Sequence, residues 1–199
     1  MADPSGFTQV GPPTLSDSDL VRRFREGSEE AFVQLMRRHE RRVYNLAYRM
    51  LGEVNDARDA TQETFLSCFR NMKRFRGDAA FSTWLHRIAV NVCYDSLRKR
   101  RPMADEAVER EAAGATPDHA DQTAASVDVQ RALLTVPPEF RAVLVMHEIQ
   151  DLPVDHIAEA LELPPGTVKS RLHRGRVALA RALKREPNEP SQPSNTTNP

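Results

Sequence analysis

At 199 residues the chain is long enough for one ordinary domain or two small ones, and 40% hydrophobic with 28% charged residues suits a globular chain rather than a membrane-embedded or wholly disordered one. No apolar run approaches the ~20 residues of a bilayer span, and the opening MADPSGFTQVGPPT lacks the basic start and apolar core of a secretory signal. The formal charge of zero conceals segregation: Arg98-Lys99-Arg100-Arg101 is a basic run, and Asp105, Glu106, Glu109, Glu111, Asp118, Asp121 and Asp128 follow against Arg110 alone. The last helical stretch then carries Lys169, Arg171, Arg174, Arg176, Arg181, Lys184 and Arg185 with no acid among them. Such asymmetry points to basic surfaces that meet a polyanion, joined by an acidic connector.

Hydrophobic spacing is helical from Leu20 onward, with hardly a strand signal, so the expected fold class is all-α. Residues 1–14 read as a disordered tail. Ser16 with Asp19 resembles a capping box opening a helix that stops at Gly27. Ser28 caps a second helix, with Glu29 and Glu30 favourably placed in its first turn. That helix sets Phe32, Leu35, Met36, Val43, Leu46, Ala47 and Met50 at core spacing and ends near Gly52. A third begins near Asn55 or Asp56 and runs through ARDATQETFLSCFRNM. The loop RFRGDAAF leads to a fourth, STWLHRIAVNVCYDSLRKRR, expected to close at Pro102.

Residues 103–125 lack apolar periodicity and read as a linker. From Ser126 the helical pattern resumes in VDVQRALLTV, PPEFRAVLVMHEIQ, PVDHIAEAL and GTVKSRLHRGRVALARALKR. Residues 186–199 are too polar and proline-rich to pack. Two small helical domains, 15–102 and 126–185, joined by a flexible acidic tether are therefore expected. Cys68 and Cys93 show no Cys-x-x-Cys spacing and read as reduced, buried thiols. The histidines are scattered and form no metal pair, so neither metal nor cofactor is expected.

The segment DLPVDHIAEALELPPGTVKSRLHRGRV fits a helix-turn-helix. Ile157, Ala158 and Leu161 face inward from a short first helix, a break follows at Glu162-Leu163-Pro164, and the second helix begins near Pro165 or Gly166. Val168, Leu172, Gly175, Leu179 and Leu183 share one side of it. Thr167, Ser170, His173, Arg174 and Arg181 face the other, flanked by Lys169 and Arg171. Arginine binds guanine O6 and N7 bidentately, while Ser, Thr and Lys reach base edges or phosphates, so this face suits a DNA groove.

A helix-turn-helix alone suits several kinds of DNA binder. RFRGDAAFSTWLHRIAVNVCYDSLRKRR, with DARDATQETFLSCFR upstream and GTVKSRLHRGR downstream, resembles the sigma-70 family of bacterial RNA polymerase sigma factors, most closely the small extracytoplasmic-function (ECF) subgroup. The resemblance covers roughly Leu15 to Arg185. It implies a non-enzymatic initiation subunit whose partners are core RNA polymerase (the beta-prime clamp helices and the beta flap), promoter DNA and an anti-sigma factor. It also implies a cytoplasmic location, with the nucleoid in the holoenzyme or held at the membrane by that anti-sigma factor.

Residue by residue, the resemblance assigns core-polymerase binding to Asp56, Asp59, Gln62, Glu63, Phe65 and Leu66. It assigns recognition and melting of the −10 element to Phe75, Arg76, Gly77, Asp78, Ala79, Phe81, Trp84, Arg87, Asn91, Arg98, Arg100 and Arg101. Trp84 fits a packing residue or a wedge at the duplex edge, and His86 is expected on or near the outer face with Arg87, Asn91 and Tyr94. Recognition of the −35 element falls to Thr167, Lys169, Ser170, Arg171, His173 and Arg174. Glu162 stands where relatives commonly carry Gly after the first helix, and Pro153 where they carry a polar cap. A stand-alone regulator is the competing reading; an enzyme would need a phosphate loop, activated nucleophile or metal cluster, and the sequence offers none.

Overall fold

The computed structural model describes residues 15–77, 79–104 and 124–184. Eight α-helices and no strand occur among them. Four make the first module: α1 (Asp17–Arg25), α2 (Glu29–Leu51), α3 (Val54–Asn71) and α4 (Phe81–Ala104), with a 3-10 turn at Met72–Arg74 after α3. The second module holds α5 (Ala124–Thr135), α6 (Pro138–Leu144), α7 (Val154–Leu161) and α8 (Pro165–Lys184), with a π turn at Val145–Ile149 after α6.

Ser16 caps α1 reciprocally. Its hydroxyl oxygen accepts from the Asp19 N–H at 3.2 Å and donates to the Asp19 carboxylate at 2.6 Å. That bond, aided by the Arg22 charge, holds the Asp19 carboxyl below its ordinary range. The apolar stripe of α2, including Leu35, Val43, Leu46 and Met50, is buried against α3 and α4. Gly52, at φ +84°, ends α2 in the left-handed conformation with its N–H on the Tyr48 carbonyl at 2.9 Å.

On α3 the buried side is mostly small: beside Phe65, Ala57, Ala60 and Cys68 flank Thr61 and Thr64, whose hydroxyls donate to the carbonyls four residues back. These small residues let α2 and α4 approach closely. Helix α4 buries Phe81, Leu85, Ala89, Val90 and Cys93. It continues through Pro102 to Ala104, past the expected stop. A proline in the last turn costs one ladder hydrogen bond, whereas in mid-helix it would break the rod.

In the second module α7 and α8 contribute Ile157, Ala158, Ala160, Val168 and Leu172 to the core. Gly175 lets α8 lie directly on α6, because a Cβ there would meet Leu144 Cγ at 2.8 Å and the Phe140 carbonyl oxygen at 3.3 Å. The run expected as one helix through Gln150 instead widens into the π turn, with Gln150 N–H on the Val145 carbonyl at 3.1 Å.

The two modules are not held apart. One continuous apolar core runs through both, with α4 packed on α7 and α2 on α5 and the π turn. The linker expected over residues 103–125 is shorter at both ends, since α4 runs on to Ala104 and α5 opens at Ala124; residues 105–123 and both tails lie outside the described residues. Among the described residues no helix is long and apolar enough to cross a membrane, and no group of side chains is arranged to hold a metal ion.

Candidate nucleic-acid interface

The helix-turn-helix forms where the spacing puts it. Glu162 ends α7 at φ +53°, and the Leu163 N–H returns to the Ala158 carbonyl at 2.9 Å, so the left-handed turn survives without glycine. A non-glycine residue in that conformation costs on the order of 1 kcal/mol. Pro153 precedes α7 in an extended conformation and supplies no side-chain cap. On α8, Lys169, Ser170, His173 and Arg174 are exposed and Thr167 is half-buried, forming one cationic and polar face. Arg171 is turned instead toward the first module.

On α3, Asp59, Gln62, Glu63 and Leu66 share an exposed face, joined at its lower edge by Phe69. Leu66 is 43% and Phe69 44% exposed, and Phe69 rests edge-on against Phe24 and Phe32 at 5.4 and 5.1 Å between ring centres. Phe65 points inward and is buried. Asp56 is paired with Arg100, which also donates to the Leu51 carbonyl at 3.2 Å. This ion pair links two residues that the resemblance assigns to different surfaces.

The loop before α4 is held by an aromatic cluster. Phe75 and Phe81 are buried, Trp84 is half-buried, and the Phe75 and Trp84 ring centres are 4.9 Å apart. The Arg25 guanidinium lies over Phe75 at 6.0 Å. Phe75 and Phe81 thus support the loop rather than line its surface, while Arg76 and Gly77 are exposed and Ala79 is half-buried. Gly77, at φ +84°, adopts a conformation other residues rarely take. Asp78 lies outside the described residues, as does the side chain of Arg101. Farther along α4, Asn91 and Arg98 are exposed, and Arg98 pairs with Asp95.

His86 is not on the outer face. It is 4% exposed, with Nδ1 at 2.6 Å from the Ser82 carbonyl oxygen, which fixes that nitrogen as the donor. Nε2 lies near the Gln150 side chain without a well-formed hydrogen bond. Burial depresses its pKa, and the nearby His39 and Arg42 act in the same direction. A depressed histidine binds fewer protons folded than unfolded, so its stabilisation is complete above the unfolded value of about 6.5 and declines as pH falls below it. His86→Gln should flatten the dependence of Tm on pH between about 7 and 5. An unchanged slope would place the acid sensitivity elsewhere.

The side chain that sequence reasoning misses most completely is Arg141. Only 5% exposed, it donates to the carbonyls of Leu134 and Val136 in its own module and to that of Met50 in the other. The available signal is its position between Phe140 and Ala142, within an otherwise apolar run. Cys68 and Cys93 are fully buried, and burial pushes both thiols up to about 12.

Comparison with known proteins places this geometry in a family. The model for sigma-70 region 2 matches residues 35–102, and that for sigma-70 region 4 matches residues 126–179. The chain is 40% identical over 187 residues to the ECF RNA polymerase sigma factor SigM of Mycobacterium tuberculosis, covering 92% of this chain and 94% of SigM. A solved structure of CnrH in complex with the cytosolic domain of CnrY has a TM-score of 0.65 at 26% identity, covering 84% of this chain and 96% of that one. The sigma factor RpoE in complex with the anti-sigma factor NepR from Bartonella quintana shares the fold, with a TM-score of 0.65 at 22% identity over 78% of this chain and 98% of that one. With both sigma regions in order and a relative similar along nearly its whole length, the chain belongs to the ECF subgroup of the sigma-70 family of RNA polymerase sigma factors.

Proposed function

We propose that this sigma factor binds core RNA polymerase through the exposed face of α3 and directs initiation at promoters by reading two elements with its two modules. Asp59, Gln62, Glu63 and Leu66 make the contact with the beta-prime clamp helices, and the second module meets the beta flap. An acidic and amide face with an apolar centre suits a protein interface. The loop at Arg76, Gly77 and Ala79, with Trp84, Arg87 and Asn91, receives and orders the separated strand of the −10 element. Arg98 and its basic neighbours contact phosphate, a sequence-independent contribution that weakens as salt rises. Lys169, Ser170, His173 and Arg174, with Thr167 at the edge, enter the major groove at the −35 element.

The observation that carries this reading is the succession of the two sigma regions in one chain, the second presenting Lys169, Ser170, His173 and Arg174 on the exposed face of its helix-turn-helix. The protein acts as an initiation factor in the cytoplasm, not as an enzyme, under the control of an anti-sigma factor. Run-off transcription with purified core polymerase tests this: adding the full chain should produce promoter-dependent transcripts. Specific duplex binding without core and without stimulated initiation would instead identify a stand-alone regulator.

A further inference from the structure

The crevice at the start of α8 holds a side chain out of keeping with a DNA-reading face. Glu139, in the first turn of α6, borders it together with Gly166, Thr167, Ser170, Arg171 and Arg174. The close crossing of α6 on α8 fixes this placement. The carbonyl oxygen of Phe140, the next residue, lies 3.3 Å from where a Gly175 Cβ would stand, which anchors α6 beside Glu139. Arg171 forms the inner flank, where it also borders a second crevice with Arg87, Asn91 and Tyr94.

Glu139 is exposed and makes no ion pair or side-chain hydrogen bond with any described residue, although two arginines share its crevice. Burial raises the pKa of Tyr94, Arg171 lowers it and Glu139 raises it further, so both charges act on one phenol. Helix α8 carries no acid, and among the described residues Glu139 is the one carboxylate bordering this crevice. Beside DNA phosphates such a charge is repulsive and weakens binding to every sequence. It becomes favourable only where it meets a hydrogen-bond donor, and in the major groove the donors are the amines of cytosine and adenine. A carboxylate accepts from cytosine N4. Adenine sets an acceptor beside its amine and so suits an amide side chain better.

We infer that Glu139 is a specificity-determining residue: it accepts from a cytosine amine at one position of the −35 element and disfavours the other bases there. This rests on the −35 reading proposed above for α8. Thymine offers O4, and guanine O6 and N7, all acceptors that repel a carboxylate. Arg174 in the same crevice supplies the donor fork that guanine accepts, so acid and base together match a G·C pair. Because Glu139 comes from α6, the surface that reads sequence extends beyond the helix-turn-helix. The competing use of Glu139 is to complement the positive end of α6, a role that touches stability and no base.

The test uses holoenzyme assembled from the full chain and core polymerase, offered a pool of promoter fragments randomised across the −35 element, with the bound fragments sequenced. The wild-type chain should enrich cytosine at one position. Glu139→Ala should lose about tenfold of that preference while the other positions keep theirs. Glu139→Gln should shift the same position toward adenine, which an amide reads through N6 and N7. Retention of random-sequence duplex at about 0.05 M salt should rise about twofold in both variants, because a repulsive charge has gone. Unchanged base preferences in the alanine variant would overturn the assignment. An equal loss at every position together with a lower Tm would overturn it too, as the mark of a purely structural role. Wild-type holoenzyme with no −35 preference anywhere would defeat the reading by α8, and Glu139 with it; a preference that survives without Glu139 defeats Glu139 alone.

Discussion

Substituting arginine for both Asp59 and Leu66 should lower the affinity for core polymerase at least about 100-fold and abolish promoter-dependent transcripts at limiting protein, because buried interface anchors are each worth about 2 kcal/mol or more. The two side chains are seven residues apart on α3 and so lie on one face two turns apart. Both are exposed, and neither supports the core, which on this helix is built from Ala57, Ala60, Phe65 and Cys68. Folding stability should therefore change by no more than about 0.5 kcal/mol, the usual range for surface substitutions. Titration of core polymerase with the variant, paired with a thermal melt, separates the two effects. Normal initiation by a folded variant would show that α3 does not make the polymerase contact. The sign reversal at Asp59 tests complementarity with a basic partner, and the charge at Leu66 would desolvate badly in an apolar contact.

The second large effect concerns Gly175→Val, which should destabilise the protein by about 3 kcal/mol through overpacking. A Cβ at that position already meets Leu144 Cγ at 2.8 Å, and the Phe140 carbonyl oxygen at 3.3 Å belongs to backbone that yields less readily than a side chain. Valine adds two methyl groups in the same gap between α6 and α8. Gly175→Ala should be much milder, because alanine's helix propensity returns about 1 kcal/mol against a smaller clash. Urea unfolding followed by circular dichroism measures both variants. Equal stability of the valine variant and the wild type would show that the α6–α8 contact relaxes freely. The predicted valine defect would also tilt α8, so −35 binding should fall even among molecules that remain folded.

Much of this architecture was legible because its causes are local. Ser16, Gly52 and the Glu162-Leu163-Pro164 break each act within a few residues, and all lie where the sequence puts a helix end. The apolar stripes of α2 and α8 likewise follow from period alone. The misreadings have non-local causes. His86 lies next to Arg87 in sequence, yet it is buried in the fold beside the distant side chains of His39, Arg42 and Gln150. Arg141 goes unnoticed in the sequence because its partners are distant: two helix ends, from α2 and α5, converge on its guanidinium. The groove-facing side of α8 follows from helical period, but the −10 and polymerase residues follow from resemblance alone, and the spacing does not show that Phe75 and Phe81 support the loop from beneath. Nor does any pattern within one module reveal that Arg87 and Arg171 meet at a shared crevice.

The two sulfur atoms have a consequence for signalling. With Cys68 and Cys93 entombed and their protons held until about pH 12, essentially no thiolate is available to react with an oxidant at neutral pH. Peroxide or a disulfide-forming stress should leave both thiols of the isolated folded chain unmodified. Oxidants therefore do not act on this chain through its own cysteines while it stays folded.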